Sequence, residues 1–425
     1  MFYNKSIIYN IFMKILILAA GRSSRFNGAC SKVLTKFWGV RVVDMLIARA
    51  NNVGQTYIMV NENVDKAIKH NRKIVQDMNN YGTGAAVQQY VSNMEEDDLL
   101  VIPGDLPLLD EAAMQKVTNT PGDIVIGVMR MPEGAEQYGR IIMEGDHVKA
   151  IVEHRFHEEK TQFANTGVIL IRKNALHLIK DLKKNSSGEI YLTDIVQLAN
   201  QAGLQVGISS LLYNCVLGFN TVDELNQLLQ LAQINWRNRA VESGAVFYDI
   251  SKVYFSYDTK IEQGVVVEPN CYFGPGVVLK SGAYIKTFSV FSDCVVSGAV
   301  GPFAHIKSGS IAHGSQVGAF VEVSKSDVAQ GAKIKHLAYI GNAKIGENSN
   351  VGAGVVVCNY DGKNKSETEI GKNVMVGANS SLIAPISIGD SAFLAAGGVY
   401  TKNIEEMEFA IARARQENKG KKQDV

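Results

Sequence analysis

The stretch from Ile370 to Tyr400 reads IGKNVMVGANSSLIAPISIGDSAFLAAGGVY, with Ile370, Val376, Leu382, Ile388, Leu394 and Tyr400 at every sixth position. Glycine follows three of these residues, as Gly371, Gly377 and Gly389. An earlier block keeps the same spacing at Ile261, Val267, Phe273, Leu279 and Ile285. Between the two blocks lie Val317 with Val323, Ile334 with Ile340, then Ile345, Val351 and Val357. A helix has no reason to bury every sixth residue, and a hairpin strand alternates at period two and then stops at a turn. A parallel β-helix meets both demands: each six residues form one short strand and one corner, with the aliphatic side chain inward and the small residue making the corner. Such a solenoid has open ends and flat faces, which need caps or partners.

The rest of the chain is too long to belong to that one core, since 425 residues exceed what a single core usually serves. Apolar residues make up 46% of the chain and the formal net charge is +1, which describes a soluble globular protein and not a tail-bearing nucleic-acid binder. The cysteines, Cys30, Cys215, Cys271, Cys294 and Cys358, are odd in number and widely spaced. That spacing fits neither a disulfide framework nor a metal knuckle and predicts reduced thiols in a cytoplasmic protein. The run from Ile7 to Ala20 imitates a secretory signal, but Asn10 and Lys14 interrupt it and it continues into a loop suited to phosphate. Met13 is therefore a candidate initiator, and no run is long and apolar enough to predict a membrane span.

From Lys14 to about Asn220, short apolar runs alternate with amphipathic ones. Strands are predicted at 15–20, 57–60 and 99–102, and helices at 42–50 and 85–91. This alternation predicts a mostly parallel sheet with helices on both faces, so ligands are expected beyond the carboxyl ends of the strands. Thr221-Val-Asp-Glu224 has the form of a capping box, followed at helical spacing by Leu225, Leu228, Leu229, Ala232, Trp236 and Ala240. The expected organisation is a nucleotide-binding domain over 13–220, a linking helix over 221–249, the β-helix over 250–405, and a short helix-like basic tail over 406–425.

Several polar segments fall where the fold puts ligands. Gly21-Arg22-Ser23-Ser24-Arg25 follows the first strand, and Arg25 and Lys32 supply positive charge for phosphate. Gly82-Thr83-Gly84 opens a helix, Pro103-Gly104-Asp105 ends a buried strand, Asn165-Thr166-Gly167 leads a strand, and Gly218-Phe219-Asn220 ends one. Asp105 with the amide oxygen of Asn220 makes a hard-oxygen pair suited to Mg²⁺. In the second domain, His336-Leu-Ala-Tyr339-Ile-Gly341 lies on a strand. The segment from Asn359 to Lys365 sits where the register jumps from Val357 to Ile370, so a loop must leave the coil there. A neutral imidazole such as that of His336 can act as a general base.

These residues carry a resemblance. The segment Leu18-Ala-Ala-Gly21 with Arg25 and Lys32, Gly82-Thr-Gly84, Gly104-Asp105, Tyr138-Gly-Arg140, Glu153, Asn165-Thr-Gly167, Thr193 and Asn220 resembles the nucleotide-sugar pyrophosphorylases. With the six-residue repeats after it, the chain is similar from Met13 onward to the bacterial bifunctional N-acetylglucosamine-1-phosphate uridyltransferase and glucosamine-1-phosphate N-acetyltransferase family. The resemblance implies a Rossmann-like nucleotidyltransferase domain and a left-handed parallel β-helix. It implies acetyl-CoA and UTP as co-substrates, Mg²⁺ as cofactor, and a homotrimer with coenzyme A bound between subunits. Asp105 and Asn220 would hold the metal, and Arg25 and Lys32 the phosphates. Leu18, Ala20, Gly21, Gln76, Gly82 and Thr83 would hold the nucleotide, and Gly139, Glu153, Asn165 and Thr193 the acetylated sugar. His336 would be the general base, with Glu322 nearby and Asn359 assisting. Lys307, Ser324, Tyr339, Asn350 and Lys365 match the amino-sugar phosphate site. Ala353, Asn359, Tyr360, Ala378, Ala396 and Arg413 match the acetyl-CoA site.

The chain departs from the family in places. Ser23 and Ser31 replace a glycine and a proline, the uracil-reading glutamine falls on Gln76 or Asp77, Lys307 stands for an arginine and Ser324 for a lysine. Lys325 is adjacent to Ser324 but is expected to point to the opposite face. The last two changes predict weaker binding of the amino-sugar phosphate with the chemistry retained. A single-activity nucleotidyltransferase whose β-helix only oligomerises or binds a regulator is the alternative. A non-catalytic scaffold is disfavoured by the retained set of Arg25, Lys32, Asp105 and Asn220.

Overall fold

The computed structural model describes residues 13–21, 31–94, 97–130, 138–152 and 161–418. It divides into two compact units, Met1–Leu231 and Ala232–Val425, with the division inside the helix Val222–Glu242.

The first unit is built on the strand Lys14–Ala19. Its Ile15, Leu16 and Ile17 are fully buried, because the sheet carries helices on both faces and a strand at its centre is apolar on both sides. Parallel neighbours Gln55–Val60 and Leu99–Pro103 flank it, and Lys73–Val75 closes one edge. Phe163–Ile171 inserts antiparallel between Leu99–Pro103 and Ile124–Arg130, and Val206–Leu211 lies parallel at the far edge. The connections run to opposite sides of Lys14–Ala19, so its carboxyl end is the topological switch point where such sheets open a crevice.

The capping box of the long helix forms as its sequence predicts. The Thr221 Oγ1 accepts from the Glu224 N–H at 3.2 Å, and the Glu224 carboxylate accepts in return from the Thr221 N–H at 3.2 Å. Trp236, on the second unit's part of this helix, is 4% exposed and packs into the core.

The second unit is a left-handed parallel β-helix of three faces. Its ladder starts at Val246–Phe247 and ends at Phe409–Ala410, so it continues past both ends of the six-residue register. Residues 406–418 thus contribute a further rung and no helix, because the backbone of Phe393–Leu394 offers an open ladder for the chain to pair with. Inward side chains stack in columns. Phe255, Phe273 and Phe291 are fully buried, with ring centroids 5.6 and 5.2 Å apart, and Ile306, Val323 and Ile340 continue the column in register.

The corners differ from expectation. Left-handed backbone falls on Asn373, Asn379 and Ser391, with φ of 55°, 54° and 59°, and asparagine tolerates that conformation best after glycine. The glycines after the aliphatic residues do other work. A Cβ on Gly377 would lie 2.3 Å from the Ala396 nitrogen, so glycine is needed there for one coil's backbone to pass close to the next.

Candidate functional site

The switch point of the first unit opens into a cavity of about 400 Å³. Leu18, Ala20 and Gly21 reach its wall at the end of the central strand. Gly104 lets the neighbouring strand end close beside them: its N–H donates to the Leu18 carbonyl at 2.9 Å, and a Cβ there would meet that oxygen at 2.6 Å. Asp105 follows at the rim.

Lys32 is the hub of the site. Its ammonium pairs with the Asp105 carboxylate, donates to the Asn220 Oδ1 at 2.9 Å and to the Phe219 carbonyl at 3.1 Å. Asn220 is placed by the capping region, its N–H donating to the Glu224 carboxylate at 2.5 Å. The segment before it, 216–220, is irregular and does not end a strand, since the last strand of the sheet stops at Leu211 and a 3₁₀ turn follows. Three hard oxygen acceptors therefore converge on one cation, with the lysine as the positive charge. Such a donor set suits a small divalent ion. Arg25 and Glu153 lie outside the described residues.

Gly82 caps the nine-residue helix Thr83–Val91 at φ 121°. Gly82 and Thr83 both line the cavity, but the close backbone approach at Gly82 is to the protein itself, because a Cβ would lie 2.3 Å from the Ile190 carbonyl. The Leu192 N–H donates to the Thr83 Oγ1 at 3.1 Å, fixing the segment 189–193 as the opposite wall. Thr193, Tyr191 and Glu189 line the cavity from that segment, and the sequence singled out only Thr193. Their segment has no helical or strand period, which hid the other two; the Gly188-Glu-Ile-Tyr191 turn beside Thr193 was the available signal.

Gln76 is 7% exposed, lines the cavity and donates from Nε2 to the Gly82 carbonyl at 3.2 Å. Asp77 is exposed and its Oδ1 accepts from the Asn79 N–H at 2.9 Å, away from the cavity. Asn165 reaches the wall from within the strand Phe163–Ile171, not ahead of it. The register breaks between Asn165 and Ile169, and Gly167 at φ 78° packs on Pro103. The break is a bulge that re-aims Asn165 toward the crevice. Gly139 stands behind it, its carbonyl accepting from the Asn165 N–H at 2.8 Å, and is not part of the cavity wall. Asn61, missed by the sequence reading, caps the helix Glu62–Ala67 and donates to the Ala20 carbonyl at 3.3 Å.

In the second unit the predicted residues sit on the outside of the coil except Asn359, which is buried. His336 is exposed at the end of Lys333–His336. Leu337, at φ 51°, then turns the chain into a separate strand, Tyr339–Gly341, so the predicted single strand is two strands and a corner. Tyr339 stands in register with Glu322, and Lys307 with Ser324. Lys325 occupies a left-handed corner at φ 51° and is exposed. Asn350 shares the face of Lys333 and donates from Nδ2 to the Met375 sulfur at 3.2 Å.

The coil register confirms the extra loop. Partners are seventeen residues apart from Lys333 to Asn350 and twenty-five apart from Asn350 to Met375. The added length leaves as a hairpin, with Tyr360 bridged to Lys365 and the Ser366 N–H donating to the Asn359 carbonyl at 2.8 Å. Ala353, Ala378 and Ala396 follow one another on successive coils, linked by Asn379 N–H to Ala353 carbonyl and Gly397 N–H to Ala378 carbonyl, each at 2.8 Å. They form a shallow strip of small residues. Arg413 is exposed near its end.

A family model for the MobA-like NTP transferase domain matches residues 15–166, and one for the hexapeptide repeat of succinyl-transferase matches 367–402. Curated relatives align over nearly the whole chain. The bifunctional protein GlmU of Bartonella quintana is 35% identical over 95% of each chain, and that of Wolbachia pipientis is 37% identical over 95% of this chain and 97% of its own. The chain belongs to the bifunctional GlmU family. It is a transferase with a nucleotidyltransferase domain and an acyltransferase domain of hexapeptide repeats. The GlmU protein of Paramagnetospirillum magneticum is 37% identical over 95% of this chain and 94% of its own. Among solved structures, the inositol-1-phosphate CTP transferase from T. maritima is similar over 51% of this chain at a TM-score of 0.44 and 17% identity.

Proposed function

We propose that the two sites run consecutive steps of UDP-N-acetylglucosamine synthesis: the β-helix acetylates glucosamine 1-phosphate from acetyl-CoA, and the crevice then transfers uridylyl from UTP to N-acetylglucosamine 1-phosphate. The observation that carries the uridylyl reading is the Lys32 ammonium held among Asp105, Phe219 and Asn220 at the switch point. Gln76 recognises the base, Ala20 and Gly21 hold the nucleotide, and Asn165 and Thr193 orient the sugar. A phosphate oxygen of the sugar attacks the α-phosphorus of UTP, a new P–O bond forms, and the bond to pyrophosphate breaks. No protein nucleophile is required; the chain positions the two anions and Lys32 offsets their charge. Asp105 and Asn220 would hold Mg²⁺, which when bound neutralises phosphate oxygens.

In the second site His336 takes the proton of the attacking amine, while Lys307 and Lys365 attract the sugar phosphate. Ser324 contributes a hydroxyl where a cation would bind more strongly. Ala353, Ala378 and Ala396 leave room for the coenzyme A chain, with Tyr360, Asn359 and Arg413 at its border. The homotrimer supplies the missing wall. Phe288, Phe303 and Phe320 stack at 5.0 and 5.1 Å along one corner and are each at least 45% exposed, and Leu337, beside His336, is 63% exposed. An exposed apolar edge of this kind marks an interaction surface. Among the described residues no helix is long and apolar enough to cross a membrane.

A split assay tests the reading: pyrophosphate release from UTP with N-acetylglucosamine 1-phosphate, and free thiol release from acetyl-CoA with glucosamine 1-phosphate. Absence of the first removes the crevice assignment. Absence of the second with the first retained leaves a single-activity nucleotidyltransferase.

A further inference from the structure

Asn359 is 6% exposed at the base of the hairpin that leaves the coil. Its Nδ2 donates to the Asn342 Oδ1 at 2.9 Å, and this is its side-chain hydrogen bond among the described residues. An amide has a donor end and an acceptor end, so committing the nitrogen decides what the group can offer a ligand. The oxygen is the end left over.

The backbone of Asn342 is held in place on both sides. It occupies a left-handed corner at φ 50°, a conformation asparagine adopts at little cost. Its N–H donates to the Ser324 carbonyl at 3.0 Å, and its carbonyl accepts from the Thr368 N–H at 3.0 Å, so coils on both sides fix its backbone. Pairing of side chains across coils recurs along this corner: the Ser308 Oγ donates to the Asp293 Oδ2 at 2.9 Å, and both residues are also left-handed.

We infer that Asn342 is a positioning residue for acetyl transfer. By accepting from the Asn359 Nδ2, it holds the Asn359 amide so that its oxygen receives an N–H donor of the substrates. That donor is the amine of the amino sugar or an amide of the pantetheine arm of coenzyme A. The inference rests on the reading of Asn359 as part of the acetyl-transfer site. Neither residue titrates, so the effect is one of orientation.

The test uses the full-length protein with Asn342→Asp, Asn342→Gly and Asn359→Ala, measuring both activities of each preparation. Aspartate still accepts, while glycine keeps the left-handed corner and removes the acceptor. Loss of one positioned hydrogen bond predicts a fall of about tenfold in kcat/KM for acetyl transfer in Asn342→Gly, with Asn342→Asp within about twofold of the parent. Uridylyl transfer and the thermal midpoint stay unchanged. A rise in KM for glucosamine 1-phosphate identifies the amine as the donor, and a rise in KM for acetyl-CoA identifies the pantetheine amide. Equal impairment of Asn342→Asp and Asn342→Gly overturns the inference, because the amide would then be oriented the other way. Unchanged activity in Asn342→Gly with Asn359→Ala impaired overturns it too. Full acetyl transfer in Asn359→Ala instead removes Asn359 from the site.

Discussion

In the first unit Lys32 meets Asn220 across 188 residues of sequence, whereas in the second Lys307 meets Ser324 because one coil of the solenoid separates them. The crevice gathers its polar groups from strand ends and loops and largely encloses them; Gln76 and Thr193 are 7% and 8% exposed. The β-helix arranges its polar groups by repetition and leaves His336, Lys307 and Tyr360 on the outside. A switch point makes a cavity from one chain, while a solenoid face leaves its polar groups open to solvent. The difference predicts that the first activity is intrinsic to a single subunit and that the second depends on assembly.

That separation can be broken from either side. Lys32→Ala should lower the rate of pyrophosphate release by about 10²- to 10³-fold, the usual loss when a charge-stabilising donor is removed, with acetyl transfer intact. His336→Ala should lower coenzyme A thiol release by roughly 10²-fold or more with uridylyl transfer intact. A variant that lost both activities together would dissolve the distinction. Phe320→Glu places a charge in the exposed stacked edge; sedimentation should then show dissociation, with acetyl transfer lost and uridylyl transfer kept. Ser324→Lys restores a cation beside Lys307 in register and should lower the KM for glucosamine 1-phosphate by about three- to tenfold, the value of a charge-assisted hydrogen bond at a partly exposed site.

The smallest effect concerns the β-helix core. Burial pushes the Cys271 thiol up to about 11 and the Cys294 thiol up to about 12, above the ordinary thiol range. The folded state then holds these protons more tightly than the unfolded state. Their contribution to stability is complete below about pH 9 and is lost as pH rises through the folded values. Chemical denaturation followed from pH 8 to pH 11 should show a declining midpoint for the second unit. The decline should shrink in the Cys271→Ala, Cys294→Ala double variant.

Much of the scaffold was legible in the residues. The run Ile370 to Tyr400 names its own architecture, since each buried aliphatic at period six is a local consequence of one corner per strand. The central strand at Ile15 to Ile17 was equally plain, because burial on two faces demands an unbroken apolar run. The capping box at Thr221 and Glu224 is a contact between near neighbours and so lies within reach of pattern. The glycines of the repeat misled: Gly377 serves contact between coils, and that contact involves Ala396, which no local pattern connects to it.

The sites divide along the same line. Asp105 was readable as a candidate from its place at a strand end and Gln76 only through the family resemblance, and the choice of Gln76 over Asp77 for the cavity wall came only with the fold. Tyr191 and Glu189 became visible only when their segment docked on the glycine-capped helix. The convergence of Asp105, Phe219 and Asn220 on one ammonium, and the pairing of Asn359 with Asn342, are matters of angle and distance between separate coils and loops. Period and composition specify which face of an element is buried; only the packed chain decides which polar ends meet, because hydrogen bonds require alignment within a few tenths of an ångström.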